Sequence, residues 1–143
     1  MMSNLYFDGS VWCNVDIALR HLETIYKQEL EALGLSVIEW YVLRMLYEQD
    51  EQMASRLANG VGRPATSFTP ILDGIEHKGL IARRPHPADR RAVRIYLTPK
   101  GQALKNDVAA SVEQIESRLR QQFSGKEWEG YESVIADLQR MTP

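Results

Sequence analysis

Residues 78–101, KGLIARRPHPADRRAVRIYLTPKG, contain two runs with the character of β-strands. The first, Ile81–Arg83, follows a glycine, and the second, Val93–Leu97, alternates in side-chain type and includes β-branched residues. The two prolines of the intervening segment, Pro85–Arg91, lack the backbone donors that strand pairing uses, so this segment is predicted to be a stiff loop. A hairpin with a basic tip that directly follows a helix has the form of a DNA-binding wing. A solvated surface hairpin and a basic protein-docking loop are the alternatives.

The charge of this segment separates it from the rest of the chain. Residues 77–100 hold seven basic residues and one acid, a net charge of +6. The whole chain carries −2, so the remaining residues together carry −8. A merely solvated surface normally mixes both signs, whereas Arg and Lys clustered on a projecting loop are typical of phosphate binding. The charge pattern therefore favours contact with nucleic acid.

The composition is that of a soluble globular protein. A length of 143 residues is usual for one domain, and 44% hydrophobic with 25% charged residues is ordinary. No apolar run reaches the roughly 18 residues of a membrane span, and the N-terminus lacks a basic region followed by an apolar block. We therefore expect a cytoplasmic protein without membrane contact. The lone Cys13 excludes an intrachain disulfide and fits a reducing compartment.

A helix-turn-helix pattern lies just before the hairpin. Residues 52–58 predict a short helix that ends near Asn59-Gly60, and Pro64 is suited to open a second helix that reaches Lys78. In this architecture the second helix enters the major groove of DNA. Pro70 is expected to kink that helix. The buried positions of the second helix are predicted to be Phe68, Ile71, Leu72 and Ile75, and the opposite face to be Ala65, Thr66, Ser67, Thr69, Pro70 and Asp73.

Two helices are predicted before this unit. The apolar spacing indicates an amphipathic helix over about Val15–Leu33, which Gly34 ends. Ser36 and Glu39 predict a capping box for the next helix. That helix, Val37 to about Tyr47, is apolar on several sides and is expected to be central, with Trp40 and Tyr41 in the core.

Two further helices are predicted after the hairpin. Thr98 and Pro99 open a long helix whose apolar stripe runs from Leu104 to Leu119. A capping box at 124–127 starts the final helix. We expect its inward-facing residues to be Trp128, Tyr131, Ile135, Leu138 and Met141. Together with the first helix, these two are expected to leave an apolar surface that a second subunit covers. An ordinary intramolecular bundle is the alternative.

Several blocks of the chain resemble the MarR family of bacterial transcriptional regulators. They are Leu57-Ala58, Val61-Gly62, residues 72–81 with Glu-x-Lys-Gly-Leu-Ile, and residues 89–101 with Asp-Arg-Arg and Leu-Thr-x-x-Gly. The order of helices extends the resemblance over about the whole chain. It implies a mainly α fold with a small two- or three-stranded β-wing, in a single domain of residues 1–143. Residues 36–98 would form the winged helix-turn-helix lobe, and 11–34 and 99–143 the dimerisation helices.

The family also implies a function and a set of contacts. Its members are dimers that bind a pseudo-palindromic operator in double-stranded DNA, commonly as repressors that a small aromatic or lipophilic effector releases. Asp89 and Arg91 fall on the family's Asp-x-Arg wing motif, so Arg91 is expected in the minor groove. Asp89 is expected to pair with Arg90, Arg91 or Arg94 and so fix the loop. The other expected DNA contacts are Arg63, Ala65, Thr66, Ser67, Thr69, Arg83, Arg84, Arg90 and Arg94.

This chain departs from the family pattern at Pro70, where an Arg or another polar residue is frequent. Base recognition is therefore expected to depend more on small hydroxyls, threonine methyl groups and DNA shape.

Family effectors bind between the DNA-binding lobe and the dimerisation helices. The candidate pocket residues are Trp12, His21, Tyr26, Trp40, Tyr41 and Arg44, although each also suits a packing role. Peroxide-sensing members carry a reactive cysteine in the first helix. Aligned through Tyr26, Cys13 is one position out of step with it, so an oxidant-sensing regulator is kept as an alternative.

The sequence gives little support for a catalytic or a metal-binding function. The three histidines are scattered, and no ligand spacing, Gly-rich phosphate loop or nucleophile motif appears. We therefore expect no enzyme activity, no metal and no cofactor. A winged-helix module used for protein interaction is the remaining alternative.

Overall fold

The computed structural model describes residues 4–143, except for the side chain of Arg90. A 3₁₀ turn at Phe7–Gly9 precedes the first helix. Within the described range the elements are α1 (Val11–Glu31), α2 (Val37–Glu48), β1 (Gln52–Met53), α3 (Ala54–Gly60), α4 (Ala65–His77), β2 (Ile81–His86), β3 (Asp89–Leu97), α5 (Pro99–Ala103), α6 (Lys105–Gln121) and α7 (Gly125–Arg140).

The junction between α1 and α2 forms as its residues predict. Gly34 adopts the left-handed φ of 72°, and its N–H donates to the Glu31 carbonyl at 2.9 Å while the N–H of Leu35 donates to Leu30 at 3.1 Å. This pair of bonds is the Schellman ending of a helix. Ser36 and Glu39 then form the predicted capping box. At its other end, α1 begins four residues earlier than the apolar spacing indicates, because Ser10 caps it.

Helix α2 lies at the centre of the core. Val42, Leu43 and Leu46 are almost completely buried and belong to one cluster with side chains from α1, α3, α4 and the sheet. The prediction that Tyr41 packs in this core is wrong, since its side chain is 45% exposed. A step of 100° per residue places Tyr41 on the side of α2 opposite to the buried stripe. Trp40 is partly buried against the core, as expected.

The three strands form one antiparallel sheet in the order β1-β3-β2. Residues 52–53, predicted as the start of a helix, instead pair with Ile95 and Arg94. The hairpin is longer than predicted, because β2 continues through Pro85 and only residues 87–88 form the turn. Pro85 lies opposite Val93. A proline is tolerated there because β2 is an edge strand, which has no partner on one side.

The helix-turn-helix consists of α3 and α4. Helix α4 runs uninterrupted through Pro70, which lies on its exposed side. The carbonyl that Pro70 leaves without a donor can therefore be solvated. Phe68, Leu72 and Ile75 are buried as predicted, whereas Ile71 is only partly buried.

The C-terminal helices differ from the prediction in two ways. The long helix expected after Thr98 is divided into α5 and α6 by a turn at Leu104. Helix α6 packs on α1, with Val108 and Ile115 buried. None of the residues of α7 is buried. Of its side chains expected to face inward, Trp128 and Ile135 are partly buried, while Tyr131, Leu138 and Met141 are exposed because the described single chain offers them no cover.

None of the described helices combines the length and the apolar content that crossing a membrane requires.

Candidate nucleic-acid interface

Helix α4 presents small side chains, most of them polar, to solvent. Ala65, Thr66, Ser67 and Thr69 are all exposed, as predicted. The Ser67 hydroxyl donates to the Pro64 carbonyl at 3.2 Å, and the Thr69 hydroxyl donates to the Ala65 carbonyl at 3.2 Å. These bonds hold both side chains against the helix and leave their oxygen lone pairs outward. The exposed side chains of this part of α4 are therefore short and lie close to the helix.

Arg63 lies in the turn just before α4 and is exposed. Its N–H donates to the Ala58 carbonyl at 2.9 Å, which ties the turn to the end of α3. The guanidinium thus extends from a fixed backbone beside the exposed face of α4.

The tip of the hairpin is held by side-chain bonds to the backbone. Asp89 accepts a hydrogen bond from the N–H of Arg91 at 3.0 Å, and His86 Nδ1 accepts one from the N–H of Ala88 at 2.9 Å. Asp89 therefore fixes the loop as expected, but through the backbone of Arg91 rather than through a described ion pair. The Arg91 side chain is exposed. The side chain of Arg90, an expected phosphate contact, lies outside the described residues.

The other three wing arginines are placed differently from one another. Arg84 is exposed, with its guanidinium 4.9 Å from the centre of the Tyr96 ring. Arg94 pairs with Glu51 at 2.7 Å, and its Nε is buried without a partner among the described residues. Arg83 pairs with Asp73 and Glu76 on α4. Arg83 and Arg94 are thus engaged inside the lobe, whereas Arg84 and Arg91 face solvent.

Lys78 at the base of the hairpin links the end of α4 to the first turn of α2 and to the turn that precedes it. Lys78 Nζ donates to Glu39 at 2.5 Å and to the Gly34 carbonyl at 2.7 Å. Burial acts to raise the pKa of Glu39, but the bonds from Lys78 and Ser36 outweigh it and the pKa is lowered. Sequence reasoning did not assign Lys78 this role, because its partners lie about forty positions earlier in the chain.

The residues predicted to line an effector pocket are divided between two clefts. His21 and Tyr26 line a cleft of about 810 Å³ among α1, α6 and α7. Trp40 and Arg44 line another, of about 420 Å³, between α2 and α6. Trp12 and Tyr41 are not among the lining residues of either cleft, and Trp12 is 80% exposed.

Tyr26, Trp40 and Glu116 form the wall between the two clefts. The rings of Tyr26 and Trp40 are 5.3 Å apart, and the Tyr26 hydroxyl donates to Glu116, which lines both clefts. Burial and the adjacent Glu116 carboxylate both raise the pKa of Tyr26. The phenol therefore stays protonated and remains a donor.

The smaller cleft also contains residues that sequence reasoning missed. Tyr47 from α2 and Lys105 from α6 line it, with the ammonium 5.9 Å from the centre of the ring. Arg44 stands beside them and pairs with Glu48 at 3.3 Å. The lining thus combines two cations, Arg44 and Lys105, with the aromatic rings of Trp40 and Tyr47 and the carboxylates of Glu113 and Glu116. No local pattern joins α2 with α6, so only the fold brings these groups together.

Cys13 is partly buried in the first turn of α1, where its N–H donates to Ser10 Oγ at 3.4 Å. Oxidant sensing through this thiol stays a prediction. Among the described residues, no group of three or more His, Cys, Asp or Glu is placed to hold a metal ion.

Residues 35–93, from the start of α2 to the middle of β3, match the sequence model of the MarR family. This segment is a MarR-family domain. The resemblance of the sequence to the MarR family is thereby confirmed over this segment, and the MarR family consists of transcription regulators rather than enzymes.

Solved structures extend the likeness to the flanking helices. Transcriptional regulator PA4135 is 25% identical with a TM-score of 0.83, over 94% of this chain and 98% of that one. The repressor CouR, bound to a 23-mer DNA duplex, is 21% identical with a TM-score of 0.87, over 98% and 99% of the two chains. NadR in complex with 4-hydroxyphenylacetate is 22% identical with a TM-score of 0.76, over 99% and 100%. The last two show a shared fold. The MarR-type winged-helix fold is confirmed, with a three-stranded sheet and with helices that precede and follow it along the chain.

Proposed function

We propose that this chain is a bacterial, cytoplasmic transcriptional repressor that binds an inverted-repeat operator as a homodimer and leaves it when a small aromatic acid binds. The observation that carries the proposal is the exposed face of α4 together with a hairpin tip whose Arg91 side chain is exposed. One lobe thus offers a groove-sized helix and a projecting cation together.

Arg91 is the proposed minor-groove contact. Asp89 holds the backbone of Arg91 at 3.0 Å, so the guanidinium extends from a fixed tip. A narrow minor groove concentrates negative potential and attracts an inserted arginine. In the major groove, Thr66 and Thr69 can contact thymine methyl groups, and the Thr66 hydroxyl can contact either bases or phosphates. Arg63 and Arg84, which are both exposed, are the proposed phosphate contacts.

The dimer is proposed from the apolar side chains that the single chain leaves exposed. They are found on the N-terminal segment and α1, and again around α7. The set consists of Tyr6, Phe7, Val11, Trp12, Val15, Leu19, Phe123, Tyr131, Val134, Leu138 and Met141. An exposed group of large apolar side chains is typical of a surface that contacts another protein. A two-fold dimer through these helices covers it and brings two lobes to two half-sites.

The effector is proposed to occupy the cleft between α2 and α6. Its ring would lie against Trp40 and Tyr47, and its carboxylate would pair with Arg44 and Lys105. Glu113, which also lines the cleft, could accept a hydrogen bond from a hydroxyl group of the same ligand. The complex of NadR with 4-hydroxyphenylacetate supports an aromatic acid as the ligand class. Because α2 belongs to the lobe and α6 to the dimerisation helices, a ligand between them would favour one relative position of the two.

The DNA-binding role is tested by selecting bound sequences from a pool of random duplexes. The proposal expects enrichment of an inverted repeat, with half-sites about one helical turn apart. It also expects the logarithm of the affinity to fall steeply with the logarithm of the salt concentration. A pool without a shared motif, together with binding that ignores salt, would contradict it.

The effector role is tested with 4-hydroxyphenylacetate on the selected duplex, followed by fluorescence anisotropy. The acid should displace the parent chain and fail to displace Arg44→Gln, which should still bind DNA. Arg20→Gln is the matched control, because Arg20 also pairs with a carboxylate one helical turn away but lies on α1. Equal displacement of all three proteins would contradict the proposed cleft.

A further inference from the structure

Among the hairpin cations whose side chains the structure describes, Arg83 makes the most hydrogen bonds to acidic groups. Its Nη2 donates to Asp73 and, at 3.2 Å, to Glu76 Oε1. Its Nε donates to Glu76 Oε2 at 3.3 Å, and its backbone N–H donates to the same oxygen at 3.2 Å. Strand β2 is thereby bound to α4 through the backbone and the side chain of Arg83. The bonds to Arg83 lower the pKa of the Glu76 carboxyl.

This ion-pair cluster lies on the helix side of the sheet. Arg83 is opposite Ile95, which is fully buried, whereas Arg84 is opposite Arg94 on the other face. Neighbouring residues of a strand point to opposite faces. The two consecutive arginines therefore have different environments, although the sequence shows them as equivalent.

Asp73 belongs to the face of α4 that would meet DNA. It follows Thr69 by four positions and Thr66 by seven, so the three side chains share one face of the helix, and all three are exposed. An unpaired carboxylate there would repel the phosphate backbone. The guanidinium of Arg83 offsets that charge and part of the charge of Glu76.

We propose that Arg83 is a positioning residue that screens Asp73 and Glu76 and fixes β2 against α4, and that it does not contact phosphate. This role rests on the proposed DNA binding. The side of α4 that faces DNA then carries the carboxylate of Asp73, and this carboxylate repels the duplex less while it is paired with Arg83. The expectation from the sequence is instead that Arg83 is itself a phosphate contact.

The test compares Arg83→Gln with a triple variant, Arg83→Gln/Asp73→Asn/Glu76→Gln. Binding to the duplex selected by the parent chain is followed by anisotropy over a range of salt concentrations. Arg83→Gln should bind about tenfold more weakly or worse, because two carboxylates lose their counter-charge next to DNA. The triple variant should recover most of that affinity, since no unpaired carboxylate remains and its three amides can still hydrogen-bond to one another. Its salt slope should equal the slope of the parent.

A phosphate contact at Arg83 predicts the opposite pattern. The triple variant would then stay as weak as Arg83→Gln, and its slope would be shallower by about 0.9 for the lost contact. Arg118→Gln is the control for removing one ion-paired arginine, because Arg118 pairs with Glu29 between α1 and α6. It should bind as the parent does. A parent that selects no duplex contradicts the proposed function itself, whereas a parent that binds while the triple variant stays weak contradicts only the role of Arg83.

Discussion

Arg84 and Arg94 lie directly opposite each other on β2 and β3, yet only one of them has an acidic partner among the described residues. Like charges in this position repel each other. Glu51 offsets the charge of Arg94 and also accepts a hydrogen bond from Tyr96 at 3.2 Å. The face of the Tyr96 ring attracts Arg84. On this face of the wing, Arg94 is thus paired within the structure, whereas Arg84 is exposed to solvent.

Substitutions of Arg84 and of Arg94 should have different effects, one on DNA binding and the other on stability. Arg84→Gln should make the salt slope of DNA binding shallower by about 0.9 with little change in the free energy of unfolding. Arg94→Gln should lower the free energy of unfolding by up to about 1 kcal/mol, because Glu51 loses its cation. Anisotropy and urea unfolding measure the two quantities. The assignment is wrong if Arg94→Gln is the variant with the shallower slope.

Gly101 is required where α5 passes the start of the wing. A Cβ at this position would lie 2.1 Å from the Leu80 carbonyl oxygen, and the Gly101 carbonyl also accepts a bond from Tyr47 at 2.8 Å. Gly101→Ala should lower the free energy of unfolding by about 1–3 kcal/mol, since the backbone must shift. Gly130→Ala in α7 is the matched control. A Cβ there meets no atom within 4 Å, so this change should stabilise the chain by up to about 1 kcal/mol.

The exposed apolar face of α7 should be required for the dimer. Leu138→Glu places a charge on that face, so sedimentation equilibrium should show dissociation into monomers at concentrations where the parent is dimeric. Ser133→Glu adds the same charge on the opposite side of α7 and should leave the dimer intact. A monomeric parent, or equal behaviour of the two variants, argues against this interface.

Glu39 should make the stability of the chain depend on acidic pH. Although burial raises its pKa, the bonds from Lys78 and Ser36 lower it below the ordinary value of 4.5. A carboxyl whose pKa is lower in the folded state adds stability above the unfolded-state pKa and loses it as the pH falls through the folded-state pKa. Glu39→Gln should therefore unfold more easily at neutral pH and show a weaker pH dependence below about 4.5. Urea unfolding at several pH values checks this, and an equal loss of stability at every pH would refute it.

Features set by neighbouring residues were predictable from the sequence. The left-handed glycine after α1 and the capping boxes of α2 and α7 depend on residues three or four apart, and they form as predicted. The wing and the helix-turn-helix were recognisable because their strand, turn and charge signals lie together in the chain.

The partner of each arginine side chain was not predictable, because the fold decides which residues lie next to it. Arg83 and Arg84 are adjacent and chemically identical, but one meets Asp73 and Glu76 while the other meets a tyrosine ring. Arg94 finds Glu51 from forty-three positions away. Periodicity likewise indicated the apolar face of α7, but it left open whether a second subunit or an intramolecular bundle covers that face. The same holds for the α2–α6 cleft, whose two sides are distant in sequence.

The most direct test of the central claim is the affinity of Arg91→Ala for the selected duplex, measured by anisotropy alongside sedimentation equilibrium. A guanidinium in the minor groove predicts binding at least about tenfold weaker than the parent, with the dimer unchanged. An Arg91→Ala dimer that binds the same duplex as tightly as the parent would contradict the account.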